Sequence, residues 1–144
     1  MNETSPKIWV GGICIKDSKV LLIHRINKER LFHQEYFLFP GKTVDEDESI
    51  EVALLEEFKD IAIIVNLGEL LHSRDESGDE AEYYYLCEHV LGEPVMPHLP
   101  DADAKDQKQF FTPMWVSLSE LEDLMVYPES VKRHLIDEIN GRGE

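Results

Sequence analysis

Between Phe37 and Ile63 the chain reads FLFPGKTVDEDESIEVALLEEFKDIAI, and its acids have a spacing that could do chemistry. On a helix advancing about 100° per residue, Glu57 falls inside the apolar stripe made by Ile50, Ala53, Leu54 and Ile61. An unpaired buried charge costs several kcal/mol, so a carboxylate placed there must be protonated, paired with a cation, or open to a site on that face. Asp60 lies three residues on and flanks the same edge, with Glu56 beyond it, so up to three carboxylates can converge on one cation. Periodicity alone favours a plainer reading, an amphipathic helix with one Glu reaching out at the margin of the core. Glu82, ahead of Tyr83-Tyr84-Tyr85, is either a further carboxylate for the site or, more commonly, a solvated residue at a strand start. Lys42 beside Gly41 is either a phosphate contact or, more commonly, a solvated loop lysine.

The elements that must position these residues follow from pattern. Ile8 to Ile15 and Val20 to Ile23 read as a β-hairpin around the polar Lys16 to Lys19. Asn27 to Glu35 is charged and irregular. Tyr36 to Phe39 is a short aromatic strand stopped by Pro40 and Gly41, and Lys42 to Glu48 is an acidic loop. Ser49 opens a helix to about Asp60. Strands follow at Ile61 to Val65, Leu67 to Leu71 and Glu82 to Val90, with an acidic turn from Asp75 to Glu80. Of the three tyrosines at least one should be core, because neighbours in a strand alternate faces. Gly92 to Lys108 is the longest loop, Phe110 to Val116 a strand, Ser117 to Leu124 a short helix capped by its serine, and Pro128 to Ile139 a closing helix ended by Gly141. The opening hairpin argues against a purely parallel sheet, so a mixed sheet between helices is expected.

Strand, Pro-Gly loop and carboxylate-bearing helix together resemble the Nudix (MutT-like) hydrolase family. Its signature runs Gly, five residues, Glu, seven residues, then Arg-Glu-apolar-any-Glu-Glu-any-Gly-apolar, usually after a strand ending in Pro-Gly-Gly. Pro40 and Gly41 match the Pro and first Gly, Lys42 stands where the second Gly should be, and Glu48 takes the first Glu. Glu56 occupies the Arg position, Glu57 the following Glu, Phe58 the apolar place and Asp60 the next Glu, with Ile61 and Ile63 in place of the last Glu and the Gly. Deleting one residue near the helix end brings Ala62 onto the Gly instead. Either way one of the paired glutamates is lost, and the box is degenerate. Similarity extends to the flanks, through Val20-Leu21-Leu22-Ile23, Glu82-Tyr83-Tyr84-Tyr85-Leu86 and Met114-Trp115-Val116-Ser117-Leu118.

The resemblance implies one Nudix-like domain over residues 1–144, an α/β protein with an α/β/α sandwich around a mixed sheet. It also implies a pyrophosphohydrolase acting on a nucleoside diphosphate linked to another moiety, with Mg²⁺ or Mn²⁺ held by signature acids. Glu57 is then catalytic and, with Asp60, a metal ligand of a weakened site, while Gly41 and Glu48 form the structural loop of the box. In the family the signature Arg pairs with an acid and steadies the site, so Glu56 reverses that charge. The competing expectation is a Nudix-fold nucleotide-binding or interaction module without catalysis.

Bulk properties bound the remaining choices. The 144 residues are 42% hydrophobic and 31% charged, enough for one domain with a continuous core. A formal net charge of −16 repels nucleic-acid backbones and anionic membranes, so the expected partner is a small nucleotide derivative bridged by a divalent cation. Cys14 and Cys87 read as reduced core residues, and no apolar leader or membrane-length run occurs, so a cytoplasmic protein is expected. A homodimer is compatible with the sequence. The six histidines have no metal-ligand spacing. Asp101, Asp103 and Asp106 lack the glycine turn and terminal Glu of a calcium loop.

Overall fold

A computed structural model describes residues 7–27, 34–74, 80–95 and 109–142. Its first four strands are β1 (Lys7–Lys16), β2 (Lys19–Asn27), β3 (Gln34–Leu38) and β4 (Gly41–Thr43). Helix α1 (Ile50–Asp60) follows, then β5 (Ile64–Arg74), β6 (Glu80–Leu91) and β7 (Gln109–Ser117). A 3-10 helix (Leu118–Asp123), β8 (Val126–Tyr127) and helix α2 (Glu129–Arg142) complete the described chain.

The strands make one mixed sheet in the order β5-β6-β1-β2-β3-β8, with β4 pairing β1 and β7 pairing β2. Pairs β1/β6 and β3/β8 are parallel and the others antiparallel. Period-2 alternation sorts the side chains to two faces. Val10, Cys14 and Leu21 point to the face covered by Ala53, Leu54 and Phe58 of α1. Ile13, Val20, Leu22 and Tyr84 point to the face covered by Val131, Leu135 and Ile136 of α2. The expected α/β/α sandwich around a mixed sheet is therefore the observed architecture.

Helix α1 starts as its sequence directs. Ser49 is extended, and its hydroxyl accepts the Val52 N–H at 3.1 Å, with Glu51 in the first turn and Lys59 in the last. It ends because Ala62 turns to φ 67°, while the Ile63 N–H donates across the turn to the Phe58 carbonyl at 2.9 Å. Its seat on the sheet depends on Gly12, where a Cβ would meet the ring of Phe58, which is fully buried. The absent side chain lets a benzyl group lie directly on the β1 backbone. Beneath the same helix Cys14 and Cys87 stand side by side in register on β1 and β6, both buried and free, as expected of reduced core residues.

Several boundaries differ from the sequence reading. Gly41 does not simply stop a strand: Gly41–Thr43 forms β4 against β1, because Val10 and Gly11 offer a free edge there. Ile61 to Ile63 is the helix exit, not strand, and the two strands expected up to Leu71 are one long β5 kept continuous by bulges. The segment after Ser117 is a 3-10 helix whose serine makes no cap. Its hydroxyl pairs with that of Ser119 at 2.9 Å. Helix α2 runs through the exposed Gly141 to Arg142 instead of ending there. The acidic turn at residues 75–79, the interior of the irregular segment at 28–33 and most of the long loop, 96–108, lie outside the described residues. So do Asp101, Asp103 and Asp106.

Candidate active site

The acids of the box gather where β4 meets α1. Lys42 pairs in register with Val10, so its side chain lies on the α1 face. Its ammonium sits 3.3 Å from each oxygen of Glu48, and Glu48 also accepts the Asp45 N–H at 3.1 Å. Glu48 thus ties the loop to itself, and Lys42 is an ion-paired residue and not a solvated one. The pairing is legible in the titration of both groups. The Glu48 carboxyl is held below the usual range by the Asp45 N–H and then by Lys42, and Lys42 is raised mainly by its hydrogen bond to Glu48. Glu56 is exposed on the helix and lies near enough to share the Lys42 charge with Glu48.

Glu57 occupies the middle of the buried stripe and is half-buried. Burial pushes its carboxyl above the usual range, the negative charge of Asp60 pushes it further, and Lys42 offsets part of the rise. Asp60 is exposed at the end of the helix. Glu57 and Asp60 are therefore brought together as a desolvated acid with a like charge beside it, the situation of a group that gains from a cation. Ile61 supplies no ligand, since it is 4% exposed and packs into the core under α1. The left-handed Ala62 occupies the position where a helix-ending glycine belongs, and the buried Ile63 follows it as the apolar residue. That conformation fits the alignment with one residue deleted, in which Asp60 stands for the last acid of the pair.

Glu82 is not brought to this group. The Tyr84 hydroxyl donates to it at 3.2 Å, and Arg74 pairs with it at 3.6 Å. Tyr84 is 3% exposed in the core under α2, so Glu82 lies across the sheet from Glu57. Among the described residues no three His, Cys, Asp or Glu side chains converge into a group able to hold a metal ion. A carboxylate pair with water and substrate oxygens is nevertheless the usual protein share of a Mg²⁺ site. The donor set at Glu57 and Asp60 fits such an ion.

Other residues with a claim on a ligand were not singled out from the sequence. Arg25 continues the Leu21, Ile23 alternation on β2 and so faces the α1 side, opposite Tyr36 of β3. Its guanidinium lies 5.7 Å from the Tyr36 ring centre, and Tyr127 meets that ring edge-on at 5.9 Å. The signal was the strand alternation itself, which continues past Ile23, where the expected strand ended. A separate cleft of about 420 Å³ is lined by Ser18, Ser117, Ser119, Ile136, Ile139 and Asn140 on the α2 side, and none of the box acids lines it.

A model of the NUDIX domain matches residues 6–137, and the chain belongs to that family. Nudix hydrolases act on small nucleotide derivatives and generally use divalent metals. The fold is shared with solved structures. A NUDIX hydrolase from Nitrosomonas europaea is 18% identical, with 95% of this chain and 90% of that one covered at a TM-score of 0.69. An ADP-ribose pyrophosphatase from Streptococcus suis is 16% identical, with coverage of 92% and 89% and a TM-score of 0.64. A MutT structure, from work on the Aliivibrio salmonicida and Vibrio cholerae proteins, is 20% identical, with coverage of 91% and 96% and a TM-score of 0.61. No curated protein sequence matches the chain. No helix among the described residues is long and apolar enough to cross a membrane.

Proposed function

We propose that this chain is a divalent-metal-dependent hydrolase of a nucleoside diphosphate linked to a second group, working in the cytoplasm with a two-carboxylate metal site. The observation that carries the reading is Glu57, a carboxylate kept in an apolar stripe, desolvated, with the like charge of Asp60 beside it only partly offset by Lys42. Glu57 and Asp60 would hold Mg²⁺ or Mn²⁺. When bound, the ion neutralises pyrophosphate charge and makes its water a better nucleophile. Glu57 would also be the group to take the proton of the attacking water. Arg25 offers a guanidinium to an anionic substrate that the net charge of −16 otherwise repels, and Tyr36 and Tyr127 offer ring surface for a base. Two fold relatives are named an ADP-ribose pyrophosphatase and an ADP compounds hydrolase, which makes ADP-linked compounds the first substrates to try.

The test is turnover of a panel of such compounds with Mg²⁺ or Mn²⁺, by the native protein and by Glu57→Gln. Loss of at least about a hundredfold in the variant is expected, the lower end of what a positioned base contributes. Metal-dependent turnover that survives Glu57→Gln would sink the assignment of Glu57. A second reading, a nucleotide-binding module without catalysis, is favoured by the end of α1, where Asp60 is the one acid left of the signature's pair and Ile61 is buried. It predicts thermal stabilisation by a nucleotide with no hydrolysis across the panel.

A further inference from the structure

Lys42 and Glu56 carry charges that look misplaced one at a time and make sense together. The ammonium of Lys42 touches both oxygens of Glu48 at 3.3 Å, with the Lys42 side chain 29% exposed and that of Glu48 only 13%. Glu56 approaches the same Glu48 from the helix, and the Lys42 charge is felt at Asp45, Glu56 and Glu57 alike. Glu48 is thus the centre of a bridge, with a loop cation on one side and a helix acid on the other. Without the ammonium, Glu48 and Glu56 would repel each other across the gap between β4 and α1. Glu48 keeps the Asp45 N–H, but Glu56 would then be free to turn toward any divalent ion at Glu57 and Asp60, because it precedes Glu57 directly and lies one helical turn before Asp60.

We propose that Lys42 is a positioning residue of the acidic site: its ammonium holds Glu48 on the loop, its charge keeps Glu56 turned toward Glu48, and Glu57 and Asp60 are left as the open pair. The inference rests on the hydrolase reading only in what the open pair is for, and its own content is a charge arrangement. Glu48 needs one cation beside it, and the cation can come from the loop or from the helix. Moving it to the helix, as in the double variant Lys42→Met with Glu56→Lys, preserves the bridge.

The experiment uses the full chain without substrate and reads two quantities: the thermal midpoint in the absence of divalent ions, and the dissociation constant for Mn²⁺ alone. Lys42→Met is expected to lower the midpoint and to tighten Mn²⁺ binding by about tenfold, since a nearby positive charge is removed and the Glu56 carboxylate is released. Lys42→Arg should keep both native values, and Lys42→Met with Glu56→Lys should regain both. A merely structural lysine would lower the midpoint without tightening Mn²⁺ binding. That result overturns the proposal, as does a double variant whose losses simply add. Should the native protein bind no Mn²⁺ at all, the hydrolase reading fails. The bridge is then decided by whether the double variant recovers the midpoint that Lys42→Met loses.

Discussion

Adding one methyl group at Gly12 tests how α1 is seated and, through it, where Glu57 is held. A Cβ there would lie 2.6 Å from Cζ of Phe58 and 3.2 Å from the Cys87 sulfur, where ordinary carbon contacts begin near 3.4 Å. Phe58 has no exposed surface, so its ring has nowhere to swing and the helix must lift. Overpacking of this kind costs roughly 1–3 kcal/mol. The smaller entropy of an unfolded alanine returns about 0.4–1 kcal/mol. The difference is at most about 2.6 kcal/mol, so at about 2–4 °C per kcal/mol for a domain of this size Gly12→Ala should lower the thermal midpoint by up to about 10 °C. Differential scanning calorimetry or chemical denaturation reads this directly. Phe58→Leu, placed in the Gly12→Ala background, should recover part of the loss, so the two costs fall short of adding by about 1 kcal/mol. Gly141→Ala is the control, because a Cβ there meets nothing within 4 Å, and it should be neutral or slightly stabilising. A midpoint unchanged by Gly12→Ala, or strictly additive costs with Phe58→Leu, would refute the claim that the Phe58 ring rests on bare backbone.

Four further outcomes are expected. Without divalent ions, Glu57→Gln should raise the midpoint at pH 7.5. The folded carboxyl titrates above its ordinary value, so the penalty for charging it grows as pH rises past the unfolded value and vanishes in acid, where the variant's advantage should disappear too. Ala62→Gly should stabilise by about 1 kcal/mol, measured by denaturant midpoint, because an L side chain at φ 67° is strained and glycine is not. Lys132→Met should cost about 1–3 kcal/mol in the same assay, since the buried ammonium donates to the Leu124 carbonyl at 2.7 Å and the Glu122 carbonyl at 3.4 Å. His72 and His134 face each other with Nδ1 atoms 2.9 Å apart, a spacing that holds one proton and resists a second, and burial and then His134 lower the titration of His72. Folding is therefore favoured above the unfolded value near 6.5 and loses that support as pH falls below it. His134→Gln should flatten the drop in midpoint between pH 7.5 and 5.5.

What could be read in the sequence was mostly local. The start of α1 and its buried stripe follow from Ser49 and the spacing of Ala53, Leu54 and Phe58, and all four do what that spacing requires. Glu57 was conspicuous for the same reason, as a charge out of phase with its neighbours. The roles of Lys42 and Glu82 depended on contacts across the chain. A lysine after Pro-Gly looks solvated until the loop closes and brings Glu48 back to it. An acid before a strand has no assigned face until the register of β6 against β1 and β5 is fixed, and here that register sends Glu82 to Tyr84 and Arg74. Strand β4 was hidden because three residues carry no period. Its formation is decided by the open edge of β1 and not by its own composition.

The two thiols under α1 give the molecule an internal clock. Cys14 has no exposed surface and Cys87 6%, and burial pushes them up to about 11 and about 12, so at neutral pH both stay protonated and inert. Neither meets an alkylating reagent until the helix leaves the sheet. The rate at which the native protein consumes such a reagent therefore follows the opening of α1, the helix that carries Glu57, as a population when reclosing is fast and as a rate when alkylation is faster.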